Sequence, residues 1–319
     1  MSSTSSRRSS STPALLVVAL ATVWQAGGAV LLAHVSGPAS SLRIAFLAFS
    51  VAGLLSWLPQ AWHRGRGRAP IDRGGEGSVR TRVSLVVVTA GAFLAFYAAL
   101  AWVPVEAASA VEVAAGLVTV LVITSRGERV TRAGLWRASA ASGAVLVCAI
   151  ATVTVLGRDV HSGAAAGGVA VGIGLALMAG ACGGGVVLVS SASGARGLSA
   201  GQLARERFSG AAFIAAVVVL VTASGAGVPA AVWGEEALVA VVSISLPVLL
   251  LQWGLVRAEP VGSELVLASL PALVHLGESA RSHRWDPLLG SLMGLLVLTV
   301  LAAQAAPFAL HARRGGGIA

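Results

Sequence analysis

The sequence predicts an all-α integral membrane protein of ten transmembrane helices, arranged as two inverted five-helix repeats. Three observations lead there: a composition too apolar for water, ten apolar runs of spanning length, and arginines that collect in alternate connections. Of 319 residues, 56% are hydrophobic and 11% charged. A soluble fold carries about 25% charged residues, so most of this surface must meet lipid. That excludes a soluble enzyme, a disordered chain and, despite a net charge of +9, a nucleic-acid binder. All 22 basic residues are arginine, in keeping with an Ala-, Gly- and Val-rich coding bias.

Crossing a hydrocarbon core takes roughly 20 apolar residues at about 1.5 Å each. Such runs fall at 13–33, 39–59, 82–103, 106–124, 134–156, 164–191, 208–224, 234–255, 258–276 and 287–310. Residues 1–12 read as a disordered cytoplasmic tail and 311–319 as a second tail. Arg7-Arg8 and the apolar run after them have the outline of a signal peptide. The run continues through Val30, Leu31 and Leu32, however, so it is taken as an uncleaved first span. Turn punctuation separates the runs, as at Ser36-Gly37-Pro38, Gly157-Arg158-Asp159 and Asp286-Pro287.

Arginine distribution gives the orientation, because basic residues collect in cytoplasmic loops. With both termini inside, the cytoplasmic side holds 18 of the 22 arginines, including Arg64, Arg66, Arg68, Arg73, Arg126, Arg129, Arg196 and Arg205. The outer side holds Arg43, Arg158, Arg281 and Arg284. The expected location is the plasma membrane, multi-pass. Seven of eight tryptophans (Trp57, Trp62, Trp102, Trp136, Trp233, Trp253 and Trp285) lie near span ends, the depth of the headgroups. Trp24 alone lies inside a span.

The five-span pattern occurs twice, over 13–156 and 164–310. Pro104-Val105-Glu106 leading to Glu112 and Gly127-Glu128 is echoed by Pro260-Val261-Gly262 leading to Glu264 and Gly277-Glu278. An odd number of spans per half inverts the halves, a common construction of secondary transporters. With Trp24, Pro38 and Arg43 in the first half, and Pro271, Leu276-Gly277-Glu278 and Pro287-Leu288-Leu289-Gly290 in the second, the chain resembles the drug/metabolite transporter superfamily, EamA-like branch. Two positions depart from that pattern: span one has Trp24-Gln25 in place of Trp-Gly, and span four lacks a proline. The resemblance implies a secondary transporter exporting a small organic solute, such as an amino acid, metabolite or drug.

Charged groups deep in lipid are costly, at least about 2.5 kcal/mol each, and mark function. Glu112 and Glu264 each lie about six residues, roughly 9 Å, inside opposite ends of their spans. Burial disfavours a charged carboxyl, so either could take up a proton or pair with a cationic solute. Alternatively, each is a protonated residue bonded to a neighbouring helix. Gln25, Trp24, Tyr97, Gln252 and Gln304 are further candidates for cavity lining. Phe93, Phe96 and Tyr97 share a helix face that suits an apolar substrate. Arg43 is expected to reach the outer headgroups, and His34 and His275 to sit at the interface. Gly168, Gly172, Ala176, Gly180 and Gly184 are read as helix packing, and Pro247 and Pro271 as breaks bordering a cavity.

No Walker or dinucleotide sequence occurs, and Cys148 and Cys182 lie in apolar runs, so no cofactor, metal or disulfide is implied. The expected partners are a small-molecule substrate, protons and the lipid bilayer. Two other readings remain: a non-transporting membrane subunit or sensor, and a membrane enzyme acting through Glu278, Arg281, His283, Arg284 and Asp286. Neither an enzyme nor a particular oligomeric state is indicated by the residues.

Overall fold

A computed structural model describes residues 11–35, 38–65, 79–126, 132–156, 163–222 and 230–315. Residues 1–10 and 316–319 and the loop arginines Arg66, Arg68, Arg73, Arg129 and Arg158 lie outside those residues, as do the side chains of Trp62 and Trp136. Of the expected tails, residues 11–12 and 311–315 belong instead to the first and last helices, whose hydrogen-bonded turns continue past the apolar runs. Every regular element among the described residues is helical. Lipid offers no hydrogen bonds, so the backbone of a spanning segment must satisfy itself, and a helix does so locally.

The first helices are α1 (Ser11–Val35), α2 (Pro38–Gly65), α3 (Val79–Ala99), α4 (Val105–Ser125) and α5 (Arg132–Leu156). There follow α6 (Gly163–Ala195), α7 (Ala200–Thr222), α8 (Ala230–Ala240), α9 (Leu246–Leu255), α10 (Pro260–Leu267), α11 (Leu270–Ser282) and α12 (Pro287–Gly315). Eight stretches among the described residues are long and apolar enough to cross a membrane, two of them running through α8–α9 and α10–α11. The chain is a multi-pass, all-α membrane protein. In α5 the apolar core is shorter, Ser139–Val155. In α7 the first turns carry Arg205-Glu206-Arg207.

Both expected proline breaks are present, each with its own repair. A π turn, Val241–Ser245, joins α8 to α9 immediately before Pro247. Proline has no N–H and its ring displaces the carbonyl four residues back; the wider turn absorbs that displacement. The Ser245 hydroxyl then donates to the Ala48 carbonyl at 2.9 Å, tying the break to α2. Ahead of Pro271 the helix stops at Leu267 and restarts at Leu270, and the Ser269 hydroxyl donates to the Val266 carbonyl at 2.7 Å.

Packing is pairwise: α2 against α7, α3 and α4 against α6, α1 against α9 and α11, and α5 against α4 and α12. One apolar cluster holds Phe49, Phe96, Phe208, Ile244 and Val274, and another joins Leu117, Cys148, Leu289, Met293 and Leu296. Large apolar side chains such as Leu16, Leu54, Leu220 and Leu298 point outward, as a lipid-facing surface requires. Cys148 and Cys182 are free thiols on α5 and α6.

Candidate functional site

Two small cavities of about 80 and 90 Å³ lie inside the bundle, and both are lined by Gln25, Ala92, Phe93, Glu112 and Leu270. The first continues along Phe96, Tyr97, Ser243, Ile244 and Val248. The second continues along Gly116, Gly180, Val187, Arg207, Leu251 and Glu264. Glu112 therefore stands where the two meet. Leu270 and Ser243 belong to the proline-associated breaks, so both interruptions border the cavities.

The position of Glu112 follows from the contact of α4 with α6. A Cβ on Gly180 would run into the Glu112 backbone carbonyl, and one on Gly184 into that of Gly116. Small residues let helix backbones touch directly, and here that contact fixes the turn of α4 carrying Glu112. Glu264 approaches the same helix one turn on. A Cβ on Gly116 would sit 3.3 Å from its Oε2 and 3.6 Å from its Oε1. Glu264 is 3% exposed, whereas Glu112 is half-buried and open to both cavities. Together, the two carboxyls can hold a proton or receive a cationic group.

Arg207 supplies an opposite charge that the sequence reading left among the loop arginines. It is 1% exposed and lines the second cavity. Its Nη1 donates to Oε1 of Gln252 at 2.5 Å, and Gln252 Nε2 donates to the Ser190 hydroxyl at 3.3 Å. The guanidinium lies over the Phe208 ring, 4.9 Å from its centroid, a favourable cation–π placement. Nε of Arg207 has no hydrogen-bond partner among the described residues. A signal for this placement exists in α7: Leu203, Ala204, Arg207, Phe208, Ala211 and Ala215 form one buried stripe at helical spacing. Position 207 falls on the apolar face, where a loop charge would not.

Aromatic rings connect the two ends of the site. Phe208 stacks on Phe49 at 6.3 Å, Phe49 meets Phe93 edge-on at 5.4 Å, and Phe93 lies 6.3 Å from Tyr97. The predicted face of Phe93, Phe96 and Tyr97 lines the first cavity.

The remaining candidates separate. Gln252 is fully buried and serves Arg207. Gln304 donates from Nε2 to the Gly262 carbonyl at 2.9 Å, fastening α12 to α10 away from the cavities. Trp24 is 38% exposed and lines neither cavity. Arg43 does not reach for headgroups: its guanidinium makes a two-pronged contact with Glu236, at 2.5 and 3.0 Å. The carboxylate on α8 is geometrically matched to the fork. His34 Nε2 lies 2.8 Å from the Glu278 carboxylate. His275 is buried, with Trp285 beside its ring. No cluster of three or more His, Cys, Asp or Glu side chains that could hold a metal occurs among the described residues.

A solved structure shares this fold. Described only as "Crystal structure of protein", it superimposes with a TM-score of 0.64 over 92% of this chain and 96% of its own, at 15% identity. At that identity the likeness concerns the fold alone. No family profile matches the chain, and no curated protein matches it significantly.

Proposed function

We propose that the chain is a secondary transporter of a small organic solute, working by alternating access, in the EamA-like branch of the drug/metabolite transporter superfamily. In this reading it crosses the plasma membrane ten times, α5 and α7 included, with both termini cytoplasmic. The observation that carries it is the pair of cavities meeting at Glu112, with Glu264 and Arg207 in the wall of the second. Ionisable groups kept inside a membrane bundle at a cavity mark a path for solutes or ions.

The inverted repeat is supported by the packing. Let α1 to α5 correspond in order to α6, α7, α8–α9, α10–α11 and α12. The contact of α4 with α6 then exchanges with that of α11 with α1, and α3 with α6 exchanges with α9 with α1. The contacts α4–α5 and α11–α12 exchange, as do α3–α7 and α8–α2, while α2–α7, α5–α12 and α4–α11 map onto themselves. Ion pairs follow the same rule. Arg43 on α2 pairs with Glu236 on α8, and at the opposite end Glu206 on α7 pairs with Arg82 on α3 at 3.3 Å. The signs are swapped and the helices correspond. Two related pairs at opposite ends suit a molecule that closes one face while opening the other.

The test is a flux assay in proteoliposomes with a panel of amino acids, metabolites and cationic drugs, under imposed proton gradients. Solute movement that requires the protein and is lost in Glu112→Gln or Arg207→Met supports the reading. No movement of any panel solute under any gradient overturns it.

A further inference from the structure

A third pocket, away from the central cavities, lies where the start of α3 meets the end of α6. It has a volume of about 340 Å³ and is lined by Arg80, Thr81, Ser84, Ala192, Ser193 and Arg196, with Val189. We propose that it binds a phosphate group, presented by the headgroup of an anionic membrane lipid or by phosphate in solution.

Charge is the first argument. Arg80 and Arg196 are both exposed, and among the described residues no carboxylate lines the pocket. The nearest described ion pair, Arg82 with Glu206, engages the α7 side of α3 and leaves these two arginines to other partners. At the end of α6 two of the last carbonyls, which form the negative end of that helix, are already used. That of Ser193 accepts from the N–H groups of Arg196 and Leu198, each at 3.1 Å, and that of Gly194 accepts from Gly197 at 3.0 Å. Gly197 adopts φ 90°, which closes the turn. The negative helix end is thus covered.

Ser193 is an independent observation. It is fully buried, and its hydroxyl has no hydrogen-bond partner among the described residues. Hydroxyls in the helices of this protein commonly donate to the carbonyl four residues earlier, as Thr22, Ser56, Thr89, Thr119 and Thr152 do. A buried hydroxyl without that bond is costly, and it stands in the wall of a pocket with two guanidinium groups. Rotation of that side chain toward the pocket would add its hydroxyl to the two guanidinium groups as a donor to a phosphate oxygen.

The surroundings suit a lipid as the source. Arg80, Val83, Ser84 and Val87 share one face of α3, and Val83 and Val87 are 55% and 54% exposed. An acyl chain descending from a headgroup at Arg80 would lie along those valines.

The experiment uses the full chain, purified and delipidated in detergent. Dioctanoyl phosphatidic acid, dioctanoylglycerol and inorganic phosphate are titrated, with binding read by native mass spectrometry and thermal shift. The phosphatidic acid should bind at least about tenfold tighter than the diacylglycerol, since the phosphate contacts are charge-assisted. Arg80→Ala and Arg196→Ala should each weaken it about tenfold with unfolding temperatures unchanged, and Ser193→Ala several-fold while the lipid-free protein unfolds at the same or a higher temperature. Arg257→Ala, at an exposed arginine near the same end of the bundle whose guanidinium lies over Trp253, should leave it unaltered. Displacement of the lipid by inorganic phosphate would identify the dissolved ion as a sufficient ligand, and its failure to displace would identify the lipid. The proposal is overturned if diacylglycerol binds as tightly as phosphatidic acid, or if Arg257→Ala weakens binding as much as Arg80→Ala.

Discussion

Arg207 and Gln252 face each other in the interior of the helix bundle, the guanidinium Nη1 donating at 2.5 Å to the amide Oε1. Among the described residues the hydrogen-bond partner of Arg207 is a neutral amide, which is unusual for a charge buried to 1% exposure. Burying an ion without an opposite charge is expensive, and the cavity beside it holds Glu264 and Glu112. Arg207→Met keeps most of the volume and removes the cost of desolvation. That variant should fold with wild-type or higher thermal stability in detergent, yet lose transport in proteoliposomes. Gln252→Leu should do the reverse to stability, lowering it by about 1.5–3 kcal/mol, the usual worth of a hydrogen bond to a charged group. Thermal unfolding of the two purified variants distinguishes these outcomes.

Glu264 approaches α4 one turn from Glu112, so a proton held at one carboxyl is felt at the other. If the pair couples solute to proton movement, Glu264→Gln should flatten the dependence of flux on pH as well as lower its rate. Flux measured between pH 5.5 and 8.5, about three units spanning the range in which buried carboxyls titrate, provides the check. A Glu264→Gln protein with the wild-type profile and rate removes this residue from coupling. Glu112→Gln tests its partner in the same way.

How far the sequence foretold this site depends on the residue. Glu112 and Glu264 stand out because a carboxylate within an apolar run has few innocent explanations. The two prolines likewise announce breaks at Pro247 and Pro271. Arg207 was hidden by its neighbours: beside Arg205 and Glu206 at the start of a span, it looks like one more interfacial charge. Only the buried stripe through Leu203, Phe208 and Ala211 separates it from them. The π turn has no compositional signature, since its width is a response to Pro247 and to the Ser245 bond with Ala48. The partner of Arg43 could not be read along the chain, because Glu236 is 193 residues away. Apolar runs outlined the helices, but which charges meet is a property of packing.

Gly180 makes a prediction about position rather than chemistry. A Cβ there collides with the Glu112 carbonyl, and backbone cannot move aside as a flexible side chain can. Gly180→Ala should push α6 from α4, costing on the order of 1–3 kcal/mol as overpacking does. Transport should fall with it, although no ionisable group is altered. Gly174, whose added Cβ would meet nothing within 4 Å, is the control. Gly174→Ala should leave both unfolding temperature and flux near wild type.

The Arg43–Glu236 pair joins α2 to α8 with side chains only 16% and 8% exposed, whereas Arg82–Glu206 joins α3 to α7 at 45% and 23%. Exposed pairs contribute about 0–1 kcal/mol, but breaking a buried pair by removing one partner costs about 3–5 kcal/mol. If the two pairs hold opposite faces shut in turn, this conformation is the one in which the Arg43 end is closed. Arg43→Glu sets two carboxylates against each other and should open that end. The double variant Arg43→Glu with Glu236→Arg restores opposite charges and should restore closure. A cysteine placed at the buried Ser41 of α2, in a background lacking Cys148 and Cys182, can be probed with a membrane-impermeant thiol reagent. Labelling should rise in the single variant and return to the wild-type level in the double one. Equal labelling in all three proteins would mean that the pair contributes to folding and does not act as a gate.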